Sequence, residues 1–488
     1  MFIIKFLNPT SCKWFLLIGV FVSIFGTCDV QRLYDLTLEQ AELITLDRNN
    51  QVNSLRELYA KAKEGRLETL SKWLPQVQAM SSLYGLNKLS PVTNSKSAFL
   101  TQLSVTQALV ASDRYYNVKI ADLGVQQLEL LLNAAIIDAL FQVRTAYYQV
   151  ILDMEMISAA KEKIELLTSL SKRMEDRYQI GTSILYNVNQ SKVAIANATT
   201  HYYEMIKRKK IDMDAMASIL GFIPGDVEIA FAKVEIPLDE IPEIKDKLNQ
   251  MQALFNAQTV ALNEKIFEKD YPCIEERAMK KLFTKAEIIL WEEKALKYQP
   301  NLKVSETDVQ IAGKEVLKRK GEYLPTLSLN VNYGGDPSTV ENLPSSRFNN
   351  QTMQWGVGLQ FNWLLFDGLG RERRIKQARF EKRSKEFKYR QAVQDTYADV
   401  RKQIFDIEES VANYVTADAN VRLAEQTVTL ANDQLGIGYA TIYDYQISVD
   451  GFIQAVNNKN KARFDLLKAY YGLRHATGID LTKPSEGS

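Results

Sequence analysis

The feature that most constrains this chain is a match between its two halves. Slid along itself by 257 positions, the sequence brings Ala121 onto Ala378, Ala135 onto Ala392, Arg144 onto Arg401, Asp176 onto Asp433, Gly181 onto Gly438, Tyr186 onto Tyr443 and Gly221 onto Gly478. No gap is needed over about a hundred residues, the mark of a duplicated unit. Upstream the shift becomes 250, where Leu74-Pro75 meets Leu324-Pro325. The difference falls in loops, so the chain consists of two copies of one unit with different loop lengths.

Each copy carries the same apolar seam. In the second it runs Val393, Tyr397, Val400, Ile404, Ile407, Val411 and Tyr414, then continues from Ala417 to Leu435 in steps of mostly four and three. The first copy keeps phase from Ile136 and Leu140 through Tyr147 to Met174 and Tyr178. Steps of this kind are a coiled-coil period. The seam predicts a helix over about 373–435, on the order of 90 Å long at about 1.5 Å per residue. A turn at Gly436 to Gly438 and a helix near 441–477 come after it, matched in the first copy by a turn around Ile180 to Ser183 and a helix near 184–220. A further helix precedes each seam, near 37–73 and 286–323.

Between those helices the period changes from 3.5 to 2, as strands require. Leu327, Leu329, Val331 and Tyr333 alternate with Ser328, Asn330 and Asn332; Trp355, Val357, Leu359 and Phe361 alternate with Gly356, Gly358, Gln360 and Asn362, and Trp363 extends the apolar set. The first copy repeats the pattern more weakly, through Val77, Ala79 and Leu83 and through Phe99, Leu103, Val105 and Leu109. Two explanations compete. One is an ordinary sheet half-buried against the helices. The other is a transmembrane barrel, with aromatic residues at both ends of the apolar face and small or amide groups toward a watery lumen. A strand from Gln354 to Phe366 would rise roughly 33 Å when tilted by about 40°, enough to cross an outer membrane. Four strands cannot close a barrel, and unpaired edges are not tolerated in lipid, so that reading requires several copies; three give twelve strands.

Composition narrows the function. With 60 Lys+Arg against 59 Asp+Glu the net charge is +1, which excludes a sequence-wide field for nucleic acid. An apolar share of 46% supports a folded chain. Only two histidines, His201 and His475, and three cysteines, Cys12, Cys28 and Cys273, are present. A metal site or a catalytic triad is hard to assemble from that inventory, so neither an enzyme nor a cofactor is expected, and both histidines read as structural. Trp14 to Gly26 is an apolar run of signal-peptide length, too short for a bilayer. Residues 1–28 are therefore expected to be an export signal, with acylation of Cys28 as the alternative. No later run of 18 consecutive apolar residues occurs, so no transmembrane helix is expected in the mature chain. Lys207 to Lys210 and Arg371 to Arg374 read as solvated helix faces.

Taken in order, these pieces resemble the TolC-like outer-membrane efflux protein family. The resemblance rests on Leu324-Pro325-Thr326-Leu327-Ser328-Leu329 opening a strand, Trp363-Leu364-Leu365-Phe366-Asp367-Gly368 closing one, the tip segments Arg177 to Thr182 and Gly438 to Asp444, and Ala476-Thr477-Gly478 ending the last helix. It runs from about Thr37 to Gly478. What it implies is a mainly α fold with a small β part: a homotrimer whose long α-helical coiled-coil tunnel stands in the periplasm and whose four strands per chain build a twelve-stranded outer-membrane β-barrel. The implied function is an exit duct for small molecules, working with an inner-membrane transporter and a periplasmic adaptor (membrane fusion) protein. The same duct serving a type I protein secretion system is one alternative, and a non-pore coiled-coil scaffold is another of a different class.

The resemblance also implies a division into a first repeat over 37–221, a linker or equatorial segment over 222–285, a second repeat over 286–478 and a short tail over 479–488. Leu327, Leu329, Val331, Trp355, Val357, Leu359, Phe361 and Trp363 would face lipid. Carried over by position, Gly181 and Gly438 turn the hairpin tips, and Asp444 matches an aspartate common at the gate. Asn187 stands at the equivalent place in the first copy, a departure from the usual acid. Ile447 replaces a second acid, which leaves the acidic ring reduced or displaced to Asp450. The alternative for Asp444 is a first-turn acid that caps its helix.

Overall fold

The structure, a computed structural model, describes residues 31–85, 97–231, 241–264, 282–335 and 353–479. The expected signal peptide, all three cysteines and most of the tail lie outside the described residues. In chain order the elements are β1 (Gln31–Leu36), α1 (Leu38–Arg48), α2 (Asn50–Ser71), β2 (Gln76–Gly85), β3 (Ser97–Val110), α3 (Ser112–Gln179), α4 (Leu185–Ile219), β4 (Val227–Phe231), α5 (Pro242–Glu264), α6 (Lys285–Tyr298), α7 (Pro300–Gly321), β5 (Thr326–Gly335), β6 (Met353–Asn362), α8 (Gly370–Ile437) and α9 (Ile442–Thr477).

The two long helices, α3 and α8, have 68 residues each, on the order of 100 Å. Each turns through a glycine with positive φ, Gly181 at 77° and Gly438 at 88°, and returns as α4 or α9. The single preceding helix expected in each copy is in fact two. Asn49 separates α1 from α2, accepting from the backbone N–H groups of Gln51 and Val52 while its Nδ2 donates to the Ile219 carbonyl. In the second copy the break falls at Gln299-Pro300, where the proline takes the first helical position and lacks an N–H to lose. A 3.5-residue pattern runs through such a break unchanged, because it is made by a cap. The returning helices end against these breaks. A Cβ on Gly221 would lie 2.5 Å from the Arg48 carbonyl oxygen, and one on Gly478 would lie 2.8 Å from that of Tyr298.

Two apolar clusters hold the helices. One gathers Val143, Tyr147, Val150, Val400, Ile404, Val411, Leu466 and Leu473 with residues from β1, β4, α5 and α6. The other, toward the hairpin turns, joins Leu167, Leu170, Met174, Val188, Leu435, Tyr445 and Val449. Each fully buried leucine or isoleucine contributes roughly 2 kcal/mol by area. The first-copy seam departs from its pattern at Met154, which is 39% exposed. Among the described residues one helix, α3, is long and apolar enough to cross a membrane by length and composition alone. It contains no run of 18 consecutive apolar residues, and it packs on α2, α4, α7 and α9.

The sheet β2-β3-β5-β6 is antiparallel throughout. Of the segment that joins the two copies, β4 pairs in parallel with β1 and α5 packs near α8.

Candidate functional site

The sheet carries two faces of opposite chemistry. Leu327 pairs with Phe361, Leu329 with Leu359, Val331 with Val357 and Tyr333 with Trp355, so the apolar residues of β5 and β6 share one face. Val105 of β3 and Val77 of β2 continue the same row. On the other face Ser328 meets Gln360 and Asn330 meets Gly358, and the Asn330 amide donates to Gln360 Oε1 at 3.0 Å. Trp355 is 77% exposed, Leu359 67% and Phe361 61%. The strands pack chiefly on one another, and no helix makes more than marginal contact with the sheet among the described residues. An uncovered apolar face beside an uncovered polar one is what lipid on one side and water on the other require.

β6 ends at Asn362, four residues before the expected Phe366. Its ten residues rise about 25 Å when tilted by about 40°, still the height of an outer-membrane apolar band. Trp363 lies past the strand, its Nε1 donating to the Tyr323 carbonyl at 3.0 Å. The chain then turns through Gly368 and Leu369, whose φ of 68° makes it the sole described non-glycine residue with positive φ. The expectation of a solvated face from Arg371 to Arg374 holds for the exposed Arg373 and fails at Arg371. Arg371 is 4% exposed, donates to the carbonyls of Glu322 and Leu365, and stacks over Tyr323. Arg374 bonds Glu322 and Asp367. Some desolvation opposes ionisation of Asp367, but the Arg371 backbone N–H and the two guanidinium groups hold its carboxyl below the usual range. Glu322 and Tyr323 lie about fifty positions before these arginines, so no local pattern announces the contacts.

At the opposite end, Thr441 and Asp444 form a capping box. The Asp444 carboxylate accepts from the Thr441 hydroxyl at 2.6 Å and its N–H at 2.8 Å, while Asp444 N–H donates back to the hydroxyl at 3.2 Å. Those bonds, the hydroxyl's first, hold the carboxyl below its ordinary range. Asn187 donates to Ser183 Oγ at 3.2 Å, and α4 begins without a side-chain cap. Asp450 pairs with Lys163 of α3 at 2.8 Å. Arg177 donates to the carbonyls of Leu435 and Gly436, and Arg173 to Asn432 Oδ1 at 2.7 Å. These three cations tie the first hairpin to the second. Sequence reasoning placed Arg177 in a tip segment but named neither Lys163 nor Arg173 and none of the three contacts, since their partners lie on the other copy.

Farther from the turns, Asp153 of α3 is 1% exposed. One of its oxygens accepts from Arg208 at 3.2 Å and Gln149 at 3.3 Å. The other finds no donor in a fully ionised site. Burial, then the neighbouring Asp212 carboxyl, pushes the Asp153 pKa up to about 7. His475 bonds Asp138 at 2.5 Å and packs against Phe141. No group of three or more His, Cys, Asp or Glu converges on a metal position among the described residues.

Residues 291–479 match the model of the outer membrane efflux protein family. Over those residues the chain resembles that family. The matched stretch is the second repeat, and the first repeats its architecture element for element. AprF of Pseudomonas aeruginosa, an alkaline protease secretion protein, is 25% identical over 204 residues, 42% of each chain. PrtF of Dickeya chrysanthemi, a proteases secretion protein, is 21% identical over 188 residues, 38% of this chain and 40% of its own. The match therefore spans less than half the length of these relatives. Among solved structures, CusC superposes with a TM-score of 0.72 at 12% identity, covering 91% of this chain and 92% of that one. The fold is that of TolC-like channels.

Proposed function

We propose that three copies of this chain form an outer-membrane exit duct for small molecules. The observation that carries this reading is the sheet, apolar and uncovered on one face, amide and glycine on the other. Three such sheets make a twelve-stranded barrel, with Leu327, Leu329, Val331, Trp355, Val357, Leu359 and Phe361 toward lipid and Trp363 at the periplasmic rim. The long helices continue the lumen toward a periplasmic adaptor and an inner-membrane transporter, which supplies the energy. Gly181 and Gly438 turn the tips, and Asn187, Asp444 and Asp450 border the aperture, Asp444 through a carboxylate already committed to its cap.

A second reading, passage of unfolded polypeptide through the same duct, is favoured by the names of two relatives, both protease secretion proteins. The coiled-coil scaffold has less support, because its sheet would be covered by helices. Detergent extracts of outer membranes should contain trimers that dissociate on heating. Release of the protein by a salt wash would contradict the proposal. Deleting the gene and measuring dye accumulation beside secreted protein separates the two cargoes.

A further inference from the structure

Charge is spread unevenly along this chain. Charged residues make up 24% of it, yet none stands in β2, β3, β5 or β6. On the apolar face that follows from contact with lipid. On the other face it does not, because water accepts charge freely. About twenty strand positions alternate onto that face, so a usual charged share of roughly a quarter would put about five charged side chains there. Gln78, Gln102, Asn330, Asn332, Gln360 and Asn362 stand there instead, with chiefly serine, threonine and glycine between them. The wall is partly self-paired: the Asn330 amide donates to Gln360 at 3.0 Å, and the Ser104 hydroxyl donates to the Gln78 carbonyl at 3.4 Å.

Charge reappears where the strands join the helices, and much of it is paired there. Arg374 meets both Glu322 and Asp367, and Arg371 lies 3.6 Å from Asp367. Farther along, α8 is polarised. Residues 371–390 hold ten Lys and Arg against three Glu, whereas 391–437 hold three against eight Asp and Glu. We propose that the barrel does not sort cargo by the sign of its charge, so that anions, cations and molecules bearing both pass its wall alike, and that charge selection belongs to the helices. This rests on the duct reading and states which class of cargo its barrel admits.

The physical reason lies in the width of the lumen. Twelve strands enclose a radius on the order of 10 Å. One carboxylate per copy would set three charges at about that distance from the axis, and in water at low salt these change the local concentration of a monovalent ion by roughly an order of magnitude. A solute of like sign would be excluded and one of opposite sign retained. A molecule carrying both signs would meet each penalty in turn as it moved. Amides carry dipoles without net charge and offer donors and acceptors together, so they hold neither sign strongly.

The test reads the potential at a thiol on that face, in outer membranes of cells making the full chain with Cys273→Ser. Gln360→Cys, with Gln102→Cys as a second site, is modified from outside by methanethiosulfonates bearing either a trimethylammonium or a sulfonate, and the background without the new thiol is subtracted. The ratio of the two rates, divided by that for a free thiol in solution, should stay within about threefold of one and change little between about 20 and 500 mM salt. Adding Asn330→Asp should raise the ratio at least about fivefold and Asn330→Lys should lower it as much, both effects fading at high salt. A ratio already displaced by about fivefold in the unaltered lining and screened by salt, or one that Asn330→Asp leaves unmoved, would overturn the charge reading while leaving the duct standing. No reaction with either reagent at either site would mean no water on that face and would remove both.

Discussion

The helices α3 and α8 share a length, a seam and a glycine turn, yet they live in different surroundings. α3 is flanked by helices of both copies, and Leu140, Val143, Arg144, Tyr147 and Tyr148 are all buried on it. α8 has partners on one side only, so Val400 and Ile404 are buried while Arg401 and Phe405 stand open. The same pattern placed at the middle and at the edge of one chain therefore reports which contacts the chain completes alone.

Six substitutions bear on that contrast, in descending size of effect. Arg144→Ala, where guanidinium and carboxylate are both largely buried, should cost about 3–5 kcal/mol in denaturant unfolding, whereas Arg401→Ala removes an exposed guanidinium and should cost less, although Glu292 is left buried without its partner. Equal losses would mean that the two sites are equally buried. Leu359→Arg, on the uncovered face of β6, should cost about 2–4 kcal/mol per chain near the bilayer midplane and block membrane assembly; normal trimers would mean that the faces are reversed. Thr441→Ala should loosen the first turn of α9 by about 1 kcal/mol, seen as faster amide exchange there, while Ile184→Ala at the uncapped start of α4 should change little. Asp444→Ala removes the same cap and should also alter single-channel conductance if this residue borders the aperture.

The smallest effect is a pH dependence peculiar to α3, because α8 carries Ser410 where α3 carries Asp153. The folded-state pKa of Asp153 is raised from 3.8 to about 7. Between those values the folded chain holds a proton that the unfolded chain releases. Its contribution to stability is therefore complete below about pH 4 and is lost as the pH rises through about 7. Protection of the α3–α4 hairpin amides, taken relative to the intrinsic base-catalysed exchange rate, should fall from pH 5 to pH 8, and Asp153→Asn should flatten that trend. An unchanged trend in the variant would assign the dependence to other groups.

Much of the fold was legible because duplication doubles every signal. Two glycines in equivalent places, two seams in phase and a change of period between helices predicted α3, α4, α8, α9 and the strand pairs closely. What escaped was set by partners remote in sequence. The buried Arg371 depends on Glu322 and Tyr323 across the sheet, and the ties from Lys163, Arg173 and Arg177 depend on the second hairpin. The breaks at Asn49 and Gln299 escaped because capping leaves the apolar period intact. Asp444 was half legible: the Thr-x-x-Asp spacing that forms its cap is local, whereas an aperture needs neighbouring copies.

The central claim is a water-filled path across the outer membrane, and planar-bilayer recording of the purified protein tests it most directly. The account predicts discrete conductance steps from fractions that run as heat-dissociable trimers, and their loss in Leu359→Arg. Trimers that insert into the bilayer and never conduct would contradict it.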